Sequence, residues 1–197
     1  MPAPQPTILA TSGGYRYGER TQLEFNGLVR HAVELSGSAR SRPRVTHLGT
    51  ASGDQRYFND WMSDAARHAG YELTNLNLFP MPNLDDVEGH LLEQDAVWVN
   101  GGSVANLLAV WGVHGLGFLP YGNGVHYDSE DRRRPLVHRL VADGTLPTTH
   151  CTDDGVGLVY HGTELVEAVS EQDGKGAYVV TRDGEVAAEE RLEPRRL

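Results

Sequence analysis

Short apolar runs alternate with longer amphipathic ones along the first half of this chain, the pattern of a parallel sheet covered by helices. Thr7 to Thr11 predicts a first strand, ended by Ser12-Gly13-Gly14. A helix follows over Thr21 to Leu35, with Leu23, Leu28, Val29, Ala32, Val33 and Leu35 on its apolar face. Arg44 to Leu48 predicts a second strand, closed by Gly49 to Asp54. Tyr57 to His68 predicts a second helix stopped by Gly70, and Tyr71 to Leu78 a third strand broken by Pro80 and Pro82. Asn83 is placed to cap a helix over Leu84 to Leu92, and Ala96 to Asn100 reads as a buried fourth strand.

After Asn100 the pattern changes. Ser103 is placed to cap a helix carrying Val104, Leu107, Leu108 and Trp111 at i, i+3, i+4 and i+7. The stretch from Gly112 to Gly124 is too rich in glycine for a regular element, and Leu136 to Val141 predicts a short helix. From Val156 onward, alternation in Glu164 to Val169 and Ala177 to Thr181, with a turn at Asp183-Gly184, predicts antiparallel strands. The charged stretch from Ala187 to Leu197 is expected to fray. At 197 residues the chain suits one domain, 1–197.

Composition narrows the function classes. A net charge of -10 disfavours nucleic acid or an anionic membrane as partner. One cysteine, Cys151, excludes an internal disulfide and fits a reducing compartment. The proline-rich start lacks the features of a signal peptide, and no run approaches the length of a membrane span, so a cytoplasmic protein is expected. The basic run Arg132-Arg133-Arg134 reads either as a solvated helix start or as a feature near an acidic substrate.

Three loops at the carboxyl ends of predicted strands carry the candidate chemistry: Ser12-Gly13-Gly14, Gly49 to Asp54, and Asn100-Gly101-Gly102-Ser103. Glycines ahead of a helix let backbone N–H groups turn toward an anion or an oxyanion. None of these loops is a nucleotide-binding motif, and the nine histidines form no metal-binding pattern, so no cofactor and no metal are expected. His126, in a loop, is free to act as a base, and a carboxylate of Asp153-Asp154-Gly155 could orient it; on its own, a loop histidine is more often polar surface and Asp-Asp-Gly is usually a turn.

Taken together, Ala10 to Gly14, Gly49 to Asp54, Val97 to Ser103 with Asn106-Leu107-Leu108, Gly117 to Pro120, His126-Tyr127-Asp128 and Asp153 to Gly155 resemble, in order and spacing, the peptidase E family of serine peptidases, relatives of cyanophycinase. The resemblance implies a doubly wound, mostly parallel α/β fold like that of class I glutamine amidotransferases, with C-terminal antiparallel strands. It implies hydrolysis of dipeptides or short peptides that begin with aspartate. By the same resemblance His126 is the general base, Asp154 its orienting acid with Asp153 as fallback, and Gly101-Gly102 part of the oxyanion hole. Ser12, Gly13, Ser52, Asn100 and Ser103 are the expected substrate contacts.

The family's nucleophile sits on a strand-to-helix elbow between the Gly-Gly helix and the histidine, yet this chain has no Gly-x-Ser-x-Gly. One strand-elbow unit is missing at Gly115-Leu116, where two Gly-Leu pieces of the family pattern have become one. Three readings follow: a peptidase disabled by that loss, a pseudoenzyme binding an acidic peptide or metabolite, or a hydrolase with a relocated nucleophile, for which Ser52, Ser103 and Cys151 are candidates. Loss of a central strand also exposes its neighbours, so a homodimer, aggregation or an altered strand order is a further expectation.

Overall fold

A computed structural model of the chain describes residues 5–103, 106 and 119–197. The helix expected after Ser103 and most of the glycine-rich stretch lie outside the described residues, apart from Asn106. The fold is mixed α/β, with one parallel sheet and several antiparallel strands. Its described residues cluster into two compact units. The first is drawn from Tyr15–Phe25 and Ala32–Gly117, the second from Gln5–Gly14, Asn26–His31 and Phe118–Leu197.

The first unit contains the parallel sheet, in which β4 (Arg44–Leu48) lies between β5 (Glu72–Leu76) and β6 (Ala96–Val99). Strand β4 falls where the sequence predicts it, and its residues from Val45 to Leu48 are buried. Helix α2 (Arg56–Ala69) packs on this sheet and ends at Gly70, whose φ of 82° suits a residue without Cβ. An aromatic layer links them: Phe58 of α2 lies 5.9 Å from His47, and Trp98 stands edge-on to His47 at 6.1 Å and to Phe25 at 5.1 Å. The hairpin of β2 (Tyr15–Tyr17) and β3 (Leu23–Phe25) completes the unit.

Three expectations fail here. The helix predicted from Thr21 begins only at Gly27, because Leu23–Phe25 pair as β3 and Asn26 Oδ1 accepts the Val29 N–H, starting α1 (Gly27–Leu35). Asn83 does not cap the next helix; its side chain bridges Asn77 N–H and Asn75 O, and Asp86 instead accepts from Gly89 N–H to start α3 (Val87–Leu92). Strand β6 is not buried on both faces. Among the described residues it pairs only with β4, and Val97 and Val99 are 47% and 40% exposed.

The second unit holds two four-stranded sheets. In one, β1 (Thr7–Thr11) runs antiparallel to β9 (Val156–His161), which pairs with β10 (Glu164–Ser170) and, beyond it, β13 (Arg195–Arg196). β1 has its predicted bounds but joins an antiparallel sheet instead of the parallel one. In the other, β7 (Gly122–Gly124) is parallel to β8 (Thr149–Thr152), followed by the hairpin β11 (Ala177–Asp183) and β12 (Val186–Leu192). Helix α4 (Arg133–Ala142) packs on β11 and β12, burying Val137 and Val141 against Tyr127, Cys151 and Val180.

The stretch expected to fray is therefore two strands, held by paired charges. Arg195 forms a fork onto Glu167, and Glu189 is gripped by three side chains from the α4 region. No helix among the described residues is long and apolar enough to cross a membrane.

Candidate active site

Within the second unit the chain brings together His126, Asp154 and Ser12. β7 feeds the loop that carries His126, and the β8-to-β9 turn carries Asp153 and Asp154, so pairing of β7 with β8 sets the two loops side by side. His126 sits at φ 56°, a left-handed conformation uncommon for a residue with Cβ. Ser12 Oγ accepts the His126 N–H at 3.1 Å, and the Tyr127 N–H bonds Thr152 O, which fixes that conformation from both sides.

His126 Nδ1 lies 2.6 Å from Asp154 Oδ1. Ser12 Oγ donates to the same carboxylate oxygen at 3.2 Å, and the Asp154 N–H bonds Asp128 Oδ1 at 2.9 Å. Partial burial raises the Asp154 carboxyl, but hydrogen bonds from His126, Ser129 and Ser12 outweigh it and hold the group below the usual carboxylate range. Asp154 is thus an anion at neutral pH, set to fix the ring and the Nδ1 tautomer. Nε2 has no partner among the described residues.

Asp153, the fallback acid, faces the other way. It is buried, accepts the Gly176 N–H at 2.7 Å and pins the start of β11. Two groups that the sequence pattern did not single out support the site. Asp128, quoted only as part of a motif, holds the Asp154 backbone and pairs with Lys175. Lys175 lies in the loop before β11, 47 residues beyond Asp128, with no local signal to mark it.

Gly13, at φ 110°, lies just past β1, where its carbonyl accepts from Thr11 Oγ1. The other expected contacts belong to the first unit. Asn100, buried, extends the β6 pairing by donating its N–H to Leu48 O. Gly102 passes so close to Ala51 that a Cβ would lie 2.9 Å from Ala51 O, and its φ is 145°. Among the described residues, none accepts the N–H groups of Gly101 or Gly102.

The candidate replacement nucleophiles are engaged. Ser52 Oγ donates to Gly49 O at 2.9 Å, closing a 3-10 turn. Ser103 Oγ accepts the Asn106 N–H, as a helix cap does. Cys151 is buried within β8, and burial pushes its thiol up to about 12, so no thiolate forms at neutral pH. The basic run is structural, since Arg134 pairs with Glu189 and Arg133 with Glu130. Among the described residues no three His, Cys, Asp or Glu side chains are grouped to hold a metal ion.

Comparison with known proteins gives the family. Residues 8–117 match the model of peptidase family S51. The chain is also similar to an uncharacterized peptidase, YgaJ, of Bacillus subtilis (strain 168): 27% identical over 223 residues, covering 91% of this chain and 94% of the relative. A match of 223 residues is longer than this chain, so it includes positions of the relative that have no counterpart here. The family match also stops at Gly117, beside the Gly115-Leu116 junction. The match over more than half the chain establishes that it belongs to peptidase family S51.

Proposed function

We propose that this chain is a peptidase E-type protein, serine-type and cytoplasmic, whose ligands are dipeptides or short peptides beginning with aspartate, and that it turns them over slowly or not at all. The observation that carries this reading is the His126 Nδ1 to Asp154 Oδ1 contact of 2.6 Å, which leaves Nε2 as the nitrogen available to exchange a proton. A base held in this way serves a hydroxyl nucleophile, and the sequence contains no serine elbow to supply one. The Gly101 and Gly102 N–H groups are of the kind that receives a carboxylate or an oxyanion. Without a serine, the loss of kcat is on the order of a millionfold.

The test has two arms: hydrolysis of Asp-x dipeptides over long incubation, and calorimetric binding of the same dipeptides. Binding without hydrolysis, and without labelling by a fluorophosphonate, is the expected result. Rapid hydrolysis accompanied by a labelled serine or cysteine refutes the reading in favour of a relocated nucleophile.

A further inference from the structure

The chain holds 16 arginines and a single lysine, Lys175. Arginine supplies the cation in the ion pairs with Glu24, Asp95, Asp64 and Glu167, whereas the lysine stands on Asp128, beside the candidate active site. Asp128 and His126 share one loop, and that loop and the Asp154 turn grip each other reciprocally. The Asp154 carboxylate takes His126 Nδ1 at 2.6 Å, while Asp128 Oδ1 accepts the Asp154 N–H at 2.9 Å. Lys175 Nζ donates to the other oxygen, Asp128 Oδ2. Its neighbour Gly176 donates to Asp153 Oδ2 at 2.7 Å and accepts the Asp153 N–H at 3.1 Å. Lys175-Gly176 thus holds Asp128 and Asp153 and leaves Asp154 to the histidine.

The chemistry of the cation decides whether this grip closes. The bond to Asp128, together with the charges of Asp128, Asp153 and Asp154, raises the Lys175 ammonium above its ordinary value, so it stays charged. An ammonium is a compact point charge that can occupy one carboxylate oxygen, whereas a guanidinium presents a planar fork that engages both. A fork on Asp128 would draw Oδ1 away from the Asp154 N–H, and the Asp154 turn would lose its hold on the His126 loop.

We propose that Lys175 is a positioning residue for His126. By holding Asp128 Oδ2 it turns Oδ1 onto the Asp154 backbone, which keeps the Asp154 carboxylate on His126 Nδ1, and arginine does not replace it there. The inference rests on reading His126 and Asp154 as base and orienting acid, and it needs no turnover.

The test is 15N NMR of the neutral His126 ring in the full chain. In the parent, Nδ1 carries the hydrogen and exchanges it slowly with water. Lys175→Met is expected to speed that exchange at least about tenfold and to move the two ring signals toward their common average. Lys175→Arg is expected to do the same although it keeps the charge. Alkylation of Lys175→Cys with 2-bromoethylamine restores a side-chain ammonium and is expected to return the parent signals, with buried Cys151 left unmodified. Asp128→Asn added to Lys175→Met produces no further change, because both act on one link. Parent-like signals in Lys175→Met or Lys175→Arg overturn the proposal, as do additive effects in the double variant or an aminoethylated chain that does not regain the parent signals. Should Lys175→Met not fold, Lys175→Arg and the aminoethylated chain decide. Binding of Asp-x dipeptides by the parent tests the proposed function separately and does not enter the ring signals.

Discussion

Replacing Glu189 by glutamine tests whether the C-terminal strands are held by the charge at that position. Its carboxylate accepts from Tyr127 Oη at 2.7 Å, from Arg134 at 2.6 and 3.1 Å, and from His138 Nε2 at 2.8 Å, while the Arg134 guanidinium lies 4.6 Å from the Tyr178 ring centre. The Glu189 side chain is 19% exposed, so water compensates little for its loss. A hydrogen bond to a charged group is worth about 1.5–3 kcal/mol net, but these four share one carboxylate and two donors are partly solvated, which brings the cost of Glu189→Gln to about 2–3 kcal/mol. For a chain of this size that lowers Tm by roughly 4–12 °C. Burial raises the Glu189 carboxyl, yet the bonds from Arg134, His138 and Tyr127 bring it below the usual range. Its contribution is therefore complete above the unfolded pKa of about 4.3 and is lost as pH falls through the lower folded value. Urea unfolding at pH 7 and at acid pH measures both effects, with exposed Glu190→Gln as control, expected within about 0.5 kcal/mol of the parent. Equal midpoints for Glu189→Gln and Glu190→Gln at pH 7, or a gap that widens on acidification, refute the reasoning.

The site and the unit cores give further expectations. His126→Ala removes the strongest of the hydrogen bonds that depress Asp154, so the Asp154 carboxyl should move up toward its ordinary value; a 13C titration that leaves it in place counts against the dyad. Gly102→Ala sets a Cβ 2.9 Å from Ala51 O at a φ of 145°, and about 1–3 kcal/mol of stability should be lost in thermal melts, with no change being the contrary result. The Cys151 thiol, buried and raised to about 12, should resist a disulfide reagent at pH 8 until urea is added; immediate labelling of the native chain would show that the β8 core is open.

Where the sequence was legible, local pattern and tertiary need coincided. β1 and β4 were bounded correctly because a short β-branched run ends in glycine at each, and α2 because its apolar face and Gly70 agree. The false helix start at Thr21 arose because Leu23 fits a helical period and also a hairpin; Asn26, a capping residue, was the signal that separated them. What stayed hidden was nonlocal. Nothing near Glu189 announces Arg134, 55 residues away, so a charged strand read as a loose tail. The His126 and Asp154 loops were readable through motif order, whereas the choice of Asp154 over Asp153 depends on which of two adjacent carboxylates the β11 start captures.

β1 pairs with β9, Thr7 opposite His161, and the pairing continues through Ser12 N–H to Val156 O. A ribosome delivers these partners in order, at about 5–20 residues per second. The amino-terminal strand must therefore wait on the order of ten seconds, unpaired and apolar, before the strand that completes it has been made. Ser12 travels on that waiting segment, so the serine that steadies His126 and Asp154 takes its place only after both have been synthesised.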